Sequence, residues 1–364
     1  MSVRAFPLIV QPRLEENRRT FACFGGRCTV IVADAARPAD AAAAAAMAEQ
    51  ALLGWHQRFS RFTPDSEVSR LNRDPAAAVA ASPLMRRVVE AALTAARDTG
   101  GLVDFTLAGE IERAGYAAHM DGDGTGLQAA LQRAPARTPA SPHPDARWRQ
   151  IAVDHRTGTV SRPPGVRIDL GGIAKGVFAD ELSALLDGFD AYVIDCAGDL
   201  RVGGRAGLVR PVHIAGPFAE ERIGMFALAA GAVATSGIGR RSWQTPDGRP
   251  AHHLLDPRTG APVFSGIVQA TALALTAAQA EALAKAAILS GPDRAAEWLL
   301  HGGLLVSDDG AYERLEPAAS GSAAPTLAGR SVASDPTRAA SQDMMSSSTA
   351  SRSGSLRISW KRPS

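Results

Sequence analysis

The feature that most constrains the fold is a series of short, β-branched segments after Arg147: RQIAVD, TVSR, VRIDL, AYVID, PVHIAG, MFALAAGAVATS and VQATALAL, punctuated by Gly and Pro. Each has strand length and strand residues. Only two helical patterns interrupt them, Ile173 to Leu186 and Ala277 to Leu289. A doubly wound parallel sheet needs a helical crossover after nearly every strand. The pattern therefore predicts an α+β fold of mainly antiparallel sheet with flanking helices.

The helices carry end signals. Gly188 is placed to end the first, while Thr276 reads as N-cap of the second with Gln279 three residues on. Earlier in the chain, Ala39 to Phe59 and Pro83 to Thr99 read as helices, the latter opened by Ser82 as N-cap with Pro83 at the first helical position. FSRFTPDSEVSRLN between them carries turn chemistry, and no internal repeat is evident. DGDGTG and APARTPASPHP mark a composition shift, so a mobile connection is expected at about 121–147. Residues 1–20 read as an N-terminal extension and 21–316 as the folded body. Residues 317–364, rich in Ser, Ala and Pro, have too few large apolar side chains to offset their ordering entropy and are expected to be a disordered tail.

With 364 residues, 46% of them hydrophobic and 21% charged, the chain can bury a large core. A formal net charge of +2, with Lys and Arg scattered, does not indicate nucleic acid. Its three cysteines, Cys23, Cys28 and Cys196, lack metal-ligand spacing and read as free thiols in a reducing compartment. The apolar piece Phe6 to Val10 is broken by Pro7 and followed by charges. No run is long enough to span a bilayer, so membrane insertion is not expected and the protein is read as cytoplasmic.

Four stretches could carry chemistry. VRIDLGGIAKG is a strand, a glycine pair and a helix start, which suits a phosphate cradle with Lys175 in the first turn, and equally suits a tight turn with Lys175 merely exposed. HHLLDPRTGAPV offers His253 as an acid/base group, with Asp256 as the alternative catalytic residue or a turn cap; adjacent histidines on extended backbone diverge, which disfavours a His252–His253–Asp256 metal site. CAGDLRVGGRAG returns to strand pattern and does not fit a dinucleotide-binding glycine loop. AQAEALAKAAILSG places Glu281 and Lys285 four apart on one helix face.

In this order, FSRFTPDSEVSRLN, TGGLVDFTLAG, VRIDLGGIAKGVFADEL, AGDLRVGG, VATSGIGRR, HHLLDPRTGAPV and AEALAKAAILSG resemble the ApbE family, the FAD:protein FMN transferases, over roughly Phe21 to Gly310. The resemblance implies a two-part fold with a flavin cleft between the parts. It also implies FAD as substrate, FMN passed to a Thr or Ser hydroxyl of an acceptor flavoprotein, and AMP released. The alternatives are a non-catalytic FAD-binding protein and a pyrophosphatase that splits FAD to FMN and AMP. Phe62 falls where the family has an aromatic residue against the flavin, and Phe24 where it has Met. The family's Gly-x-x-Asp-Pro-Thr pattern persists as Leu102, Val103 and Asp104, with Phe105 for Pro; Asp169, Lys175 and Leu254 match further FAD-contact positions. Ala197 in AGDL and the pair Ile238-Gly239 depart from the family pattern.

The implied Mg²⁺ site falls on the Gly172 carbonyl, Glu281 and Lys285, where the family has Asp and Thr at the last two positions. A protonated Lys offers only donors and cannot ligate a cation, which puts Mg²⁺ in doubt here. Two placements compete for Lys285: its ammonium in the vacated cation position beside Glu281, or an exposed helix pair worth about 0.3 to 0.5 kcal/mol. The motif position favours the built-in cation.

Overall fold

The computed structural model describes residues 14–118, 126–219 and 221–318. Residues 1–13 of the expected extension, the start of the expected connection and the tail beyond 318 lie outside these. The central sheet has eight strands: β1 (Glu16–Cys23), β2 (Gly26–Ala33), β3 (Ala191–Cys196), β4 (Asp199–Gly203), β5 (Gly231–Gly237), β6 (Ile267–Ala274), β7 (Gly303–Ser307) and β8 (Tyr312–Leu315). They lie side by side in chain order, and every neighbouring pair is antiparallel. The expected α+β class with mainly antiparallel sheet is the one observed.

Two strands precede the composition shift yet belong to this sheet. β2 pairs with β3 from Cys28↔Cys196 to Ala33↔Ala191, so early and late parts of the chain share one hydrogen-bonded layer. The three cysteines are buried and free.

Side-chain alternation puts the two faces of β2 into different cores. Val30 and Val32 pack with Ala41, Ala45, Ala48 and Leu52 of α1 (Pro38–Phe59), whereas Ile31 packs with Val193, Val212 and Phe226. The second core is closed by a hairpin of Arg210–Ala215 and Arg222–Leu228. With both faces covered, a central strand has no solvent side, which is why β3 and β6 are buried at every position. Each fully buried Val, Leu or Ile contributes about 1.5 to 3 kcal/mol of transfer free energy.

Segment 166–170 differs from the expected strand VRIDL. It is extended but outside any sheet, because the Asn72 side chain satisfies both backbone groups of Ile168, each at 2.8 Å. The Asp169 amide goes to the Phe105 carbonyl at 2.8 Å. Residues 137–141, within the connection expected at 121–147, are strapped to the body: Thr138 donates to the Phe264 carbonyl at 2.9 Å and Ala140 to the Leu289 carbonyl at 2.8 Å.

Two further helices match the capping signals. α2 (Pro83–Asp98) has the Ser82 hydroxyl accepting from the Met85 amide at 3.1 Å, and α4 (Ala277–Ser290) has Thr276 accepting from the Gln279 amide at 3.2 Å. α3 (Ala174–Leu186) has no side-chain cap of its own. It exchanges caps with α4 instead. Asp180 of α3 accepts from the Ala277 and Ala278 amides at 2.8 and 3.0 Å, while Glu281 of α4 accepts from the Gly176 amide at 3.0 Å. The helices can approach this closely only because residue 176 is glycine: a Cβ there would lie 2.6 Å from the Ala277 backbone.

Candidate active site

The reciprocal capping brings Lys175, Glu281 and Lys285 together. Lys175 Nζ is paired with Asp199 of β4 and lies 3.1 Å from Glu281 Oε1. Lys285 Nζ lies 3.0 Å from the same oxygen and 3.4 Å from the Glu281 carbonyl. Glu281 and Asp199 are each 1% exposed and Lys285 only 9%, so the exposed-pair reading of Glu281 and Lys285 is overturned.

Burial alone would raise the Glu281 carboxyl, but Lys175, Lys285 and the Gly176 amide together pull it down to about 2. Burial and the adjacent Glu281 push Asp199 up to about 7 in spite of Lys175. Asp195, also buried, is pushed up to about 6. Burial would lower Lys175, yet Asp199 and Glu281 hold it above its ordinary value; for Lys285 burial prevails and the shift is downward.

Arg241 and His253 border this cluster. Arg241 donates to the Phe24 carbonyl at 3.1 Å, and its own carbonyl faces the His253 amide at 3.3 Å and ring Nδ1 at 3.4 Å. A carbonyl only accepts, so Nδ1 carries the proton and Nε2 is the basic nitrogen. Burial foremost, then the charge of Arg241, holds His253 well below its ordinary value and keeps it neutral; Lys285 adds to the effect. Arg240 acts electrostatically on Asp195 and Asp199. The cations Lys175, Lys285, Arg240 and Arg241 thus face three carboxylates, two of which are pushed toward neutrality. The site has an excess of positive charge.

The glycine turn supplies less than the cradle reading requires. The Gly171 amide is bonded to Asp169 at 2.8 Å, those of Ile173 and Ala174 to the Leu170 carbonyl at 3.1 and 2.9 Å, and that of Gly176 to Glu281. Side-chain cations, not these amides, are what this helix start offers an anion.

The implied metal positions do converge: a Cβ on Gly172 would meet Lys285 Cε at 3.4 Å. They do not fit Mg²⁺. Glu281 Oε1 accepts from two ammonium groups and Oε2 from an amide, whereas Mg²⁺ needs free oxygen lone pairs in octahedral array. Among the described residues no group of three or more His, Cys, Asp or Glu is placed to hold a metal ion.

The remaining sequence candidates separate into several environments. Asp169 joins Arg61 at 3.0 Å, and the Arg61 guanidinium lies 4.2 Å from the Phe62 ring centre. Phe62 meets Tyr116 edge-on, and Tyr116 stacks on Trp243 at 5.3 Å and 12°. Asp104 Oδ1 accepts from the Thr106 amide and hydroxyl, while Oδ2 is buried without a protein partner; burial raises this carboxyl. Phe24 turns its ring into the helices, stacked on Phe178 at 5.8 Å and edge-on to His56. Leu102 and Leu254 lie in the second core, and Val103 is half-buried against the first. Asp256 is taken up by its loop: it accepts from the Ser141 and Arg258 amides at 2.8 and 3.1 Å and from the Thr259 hydroxyl at 2.9 Å. Sequence reasoning missed Asp199, Arg241, Tyr116 and Trp243; only the first two lay in quoted motifs, and partners distant in sequence define all four.

A two-faced antiparallel sheet with a buried, positively biased cluster at a helix start defines the class of this protein as α+β. The family model of the ApbE family matches residues 24–305, and the chain belongs to that family. It is 27% identical over 250 residues to an FAD:protein FMN transferase of Vibrio cholerae, covering 66% of this chain and 71% of that one. An Escherichia coli K12 protein of the same name is 25% identical over 266 residues, covering 69% and 72%. The crystal structure of the ApbE protein from Thermotoga maritima superposes with a TM-score of 0.68 at 26% identity, over 83% of this chain and 97% of that one. The flavin transferase ApbE from Vibrio cholerae gives 0.65 at 21%, over 84% and 98%.

Proposed function

We propose that this chain transfers FMN from FAD to a Thr or Ser hydroxyl of an acceptor protein and releases AMP. The observation that carries the reading is the buried Lys175–Glu281–Lys285 cluster, with Arg240 and Arg241 beside it, in a chain of the ApbE family. In the reaction the acceptor oxygen attacks the phosphorus of the FMN half, the bridging P–O bond breaks, and AMP leaves with its electron pair. The hydroxyl proton passes to a base. Fixed cations favour this step because charge develops on the bridging oxygen as the bond breaks.

His253 is the proposed base, since its Nε2 stays unprotonated near neutral pH. Asp256, occupied as a loop brace, is not retained in that role. Lys175 and Lys285 offset phosphate charge. The unpartnered Oδ2 of Asp104 and the aromatic group of Phe62, Tyr116 and Trp243 suit a ligand that combines polar groups with flat rings. A cytoplasmic setting is consistent with the three unpaired buried thiols. No helix among the described residues is long and apolar enough to cross a membrane.

Incubation of the purified chain with FAD and an acceptor tests the proposal. It predicts an FMN adduct on the acceptor together with AMP. Bound FAD without AMP would instead define a binder, and free FMN with AMP a pyrophosphatase.

A further inference from the structure

The Lys285 side chain runs past Gly172 and ends over Glu281, where its ammonium faces both the carboxylate and the carbonyl of that residue. Of its three N–H donors these contacts occupy two. Lys175 holds the same carboxylate oxygen from the other side, and the Gly176 amide takes the second oxygen. A divalent ion could reach Glu281 only by displacing both ammonium groups from a site 1% exposed. Two fixed positive charges thus occupy one oxygen of a buried carboxylate whose other oxygen is held by an amide.

We propose that this chain handles a dinucleotide pyrophosphate without a divalent cation, the Lys285 ammonium seated on Glu281 serving as the fixed counter-charge. The inference rests on the reading of FAD as substrate. An ammonium of this kind supplies point charge and a directed donor to a phosphate oxygen, as lysines do at other phosphate sites. It differs from Mg²⁺ in being part of the chain, so neither chelation nor dialysis removes it.

Two measurements test it. The first needs no flavin: Mn²⁺ binding to the purified chain, read from the loss of the free-ion electron paramagnetic resonance signal. The unmodified chain is expected to bind no Mn²⁺ at micromolar concentration, and Lys285→Thr, which supplies a neutral oxygen and removes one of the two ammonium groups on Glu281 so that only Lys175 need be displaced, is expected to gain a site. Mn²⁺ bound by the unmodified chain and lost in Glu281→Gln would overturn the inference. The second is FAD affinity and FMN transfer with excess EDTA or with Mg²⁺. The unmodified chain should change by less than about twofold, whereas Lys285→Thr should fall about tenfold or more in EDTA and recover with Mg²⁺. Strong Mg²⁺ dependence of the unmodified chain would sink the idea while leaving flavin transfer intact. Failure to bind FAD under either condition would refute the substrate reading, and the Mn²⁺ experiment would then decide the cation assignment by itself.

Discussion

Glu281 shows how a residue can be legible in type and illegible in role. Its spacing to Lys285 is that of a common surface pair, and only burial together with Lys175, distant in sequence, makes it the centre of the cluster. The pH dependence follows from the shifted groups. Glu281, held at about 2 against an ordinary value of about 4.3, contributes stability that is present above the ordinary value and lost as pH falls through the folded one. Asp199, raised to about 7, acts in the opposite sense: its contribution is full below about 3.9 and is lost as pH rises toward neutrality. Melting temperature is therefore expected to peak in mildly acidic buffer, and Asp199→Asn should flatten the decline between about pH 4 and 7. An unchanged decline in the variant would refute the assignment. Ala197, with φ at +55° in the turn between β3 and β4, is strained because its Cβ disfavours the left-handed region that glycine adopts freely. Ala197→Gly should raise stability by about 1 kcal/mol, read from denaturant midpoints, and a loss would contradict this.

At the scale of elements, helices with local end signals were legible, because a Ser or Thr cap and a Pro at the first position act within four residues. α3 was legible in extent, but its cap was not: that cap comes from α4. VRIDL reads as a strand because nothing local reveals that Asn72 replaces the partner strand. β1 was passed over since an edge strand written ENRRTFAC carries charge in place of apolar alternation, the usual protection of an open edge. The α3–α4 contact yields its own prediction. Gly176→Ala forces a Cβ to within 2.6 Å of the Ala277 backbone, so the helices must separate. The expected cost is about 1 to 3 kcal/mol in thermal or denaturant unfolding, with weakened FAD binding as the cluster opens. Full stability with unchanged affinity would show that the close approach does not shape the site.

Over the whole molecule, the fold class was legible because strands outnumber helices and arrive without regular crossovers. The union of early and late strands in one sheet was not, since pairing of β2 with β3 spans residues 28–196 and leaves no local trace. The same holds for the site. Its motifs stood out singly, but the convergence of α3, β4 and α4 on one carboxylate is a property of the folded chain. That convergence is the basis of the functional reading: fixed ammonium charge, set by helices that cap each other, loosens the pyrophosphate of FAD. The most direct test is mass spectrometry of a Thr- or Ser-bearing acceptor after incubation with this chain and FAD in excess EDTA. The account predicts an acceptor heavier by one FMN and release of AMP in equal amount. Unmodified acceptor and intact FAD, with EDTA and with Mg²⁺ alike, would contradict it.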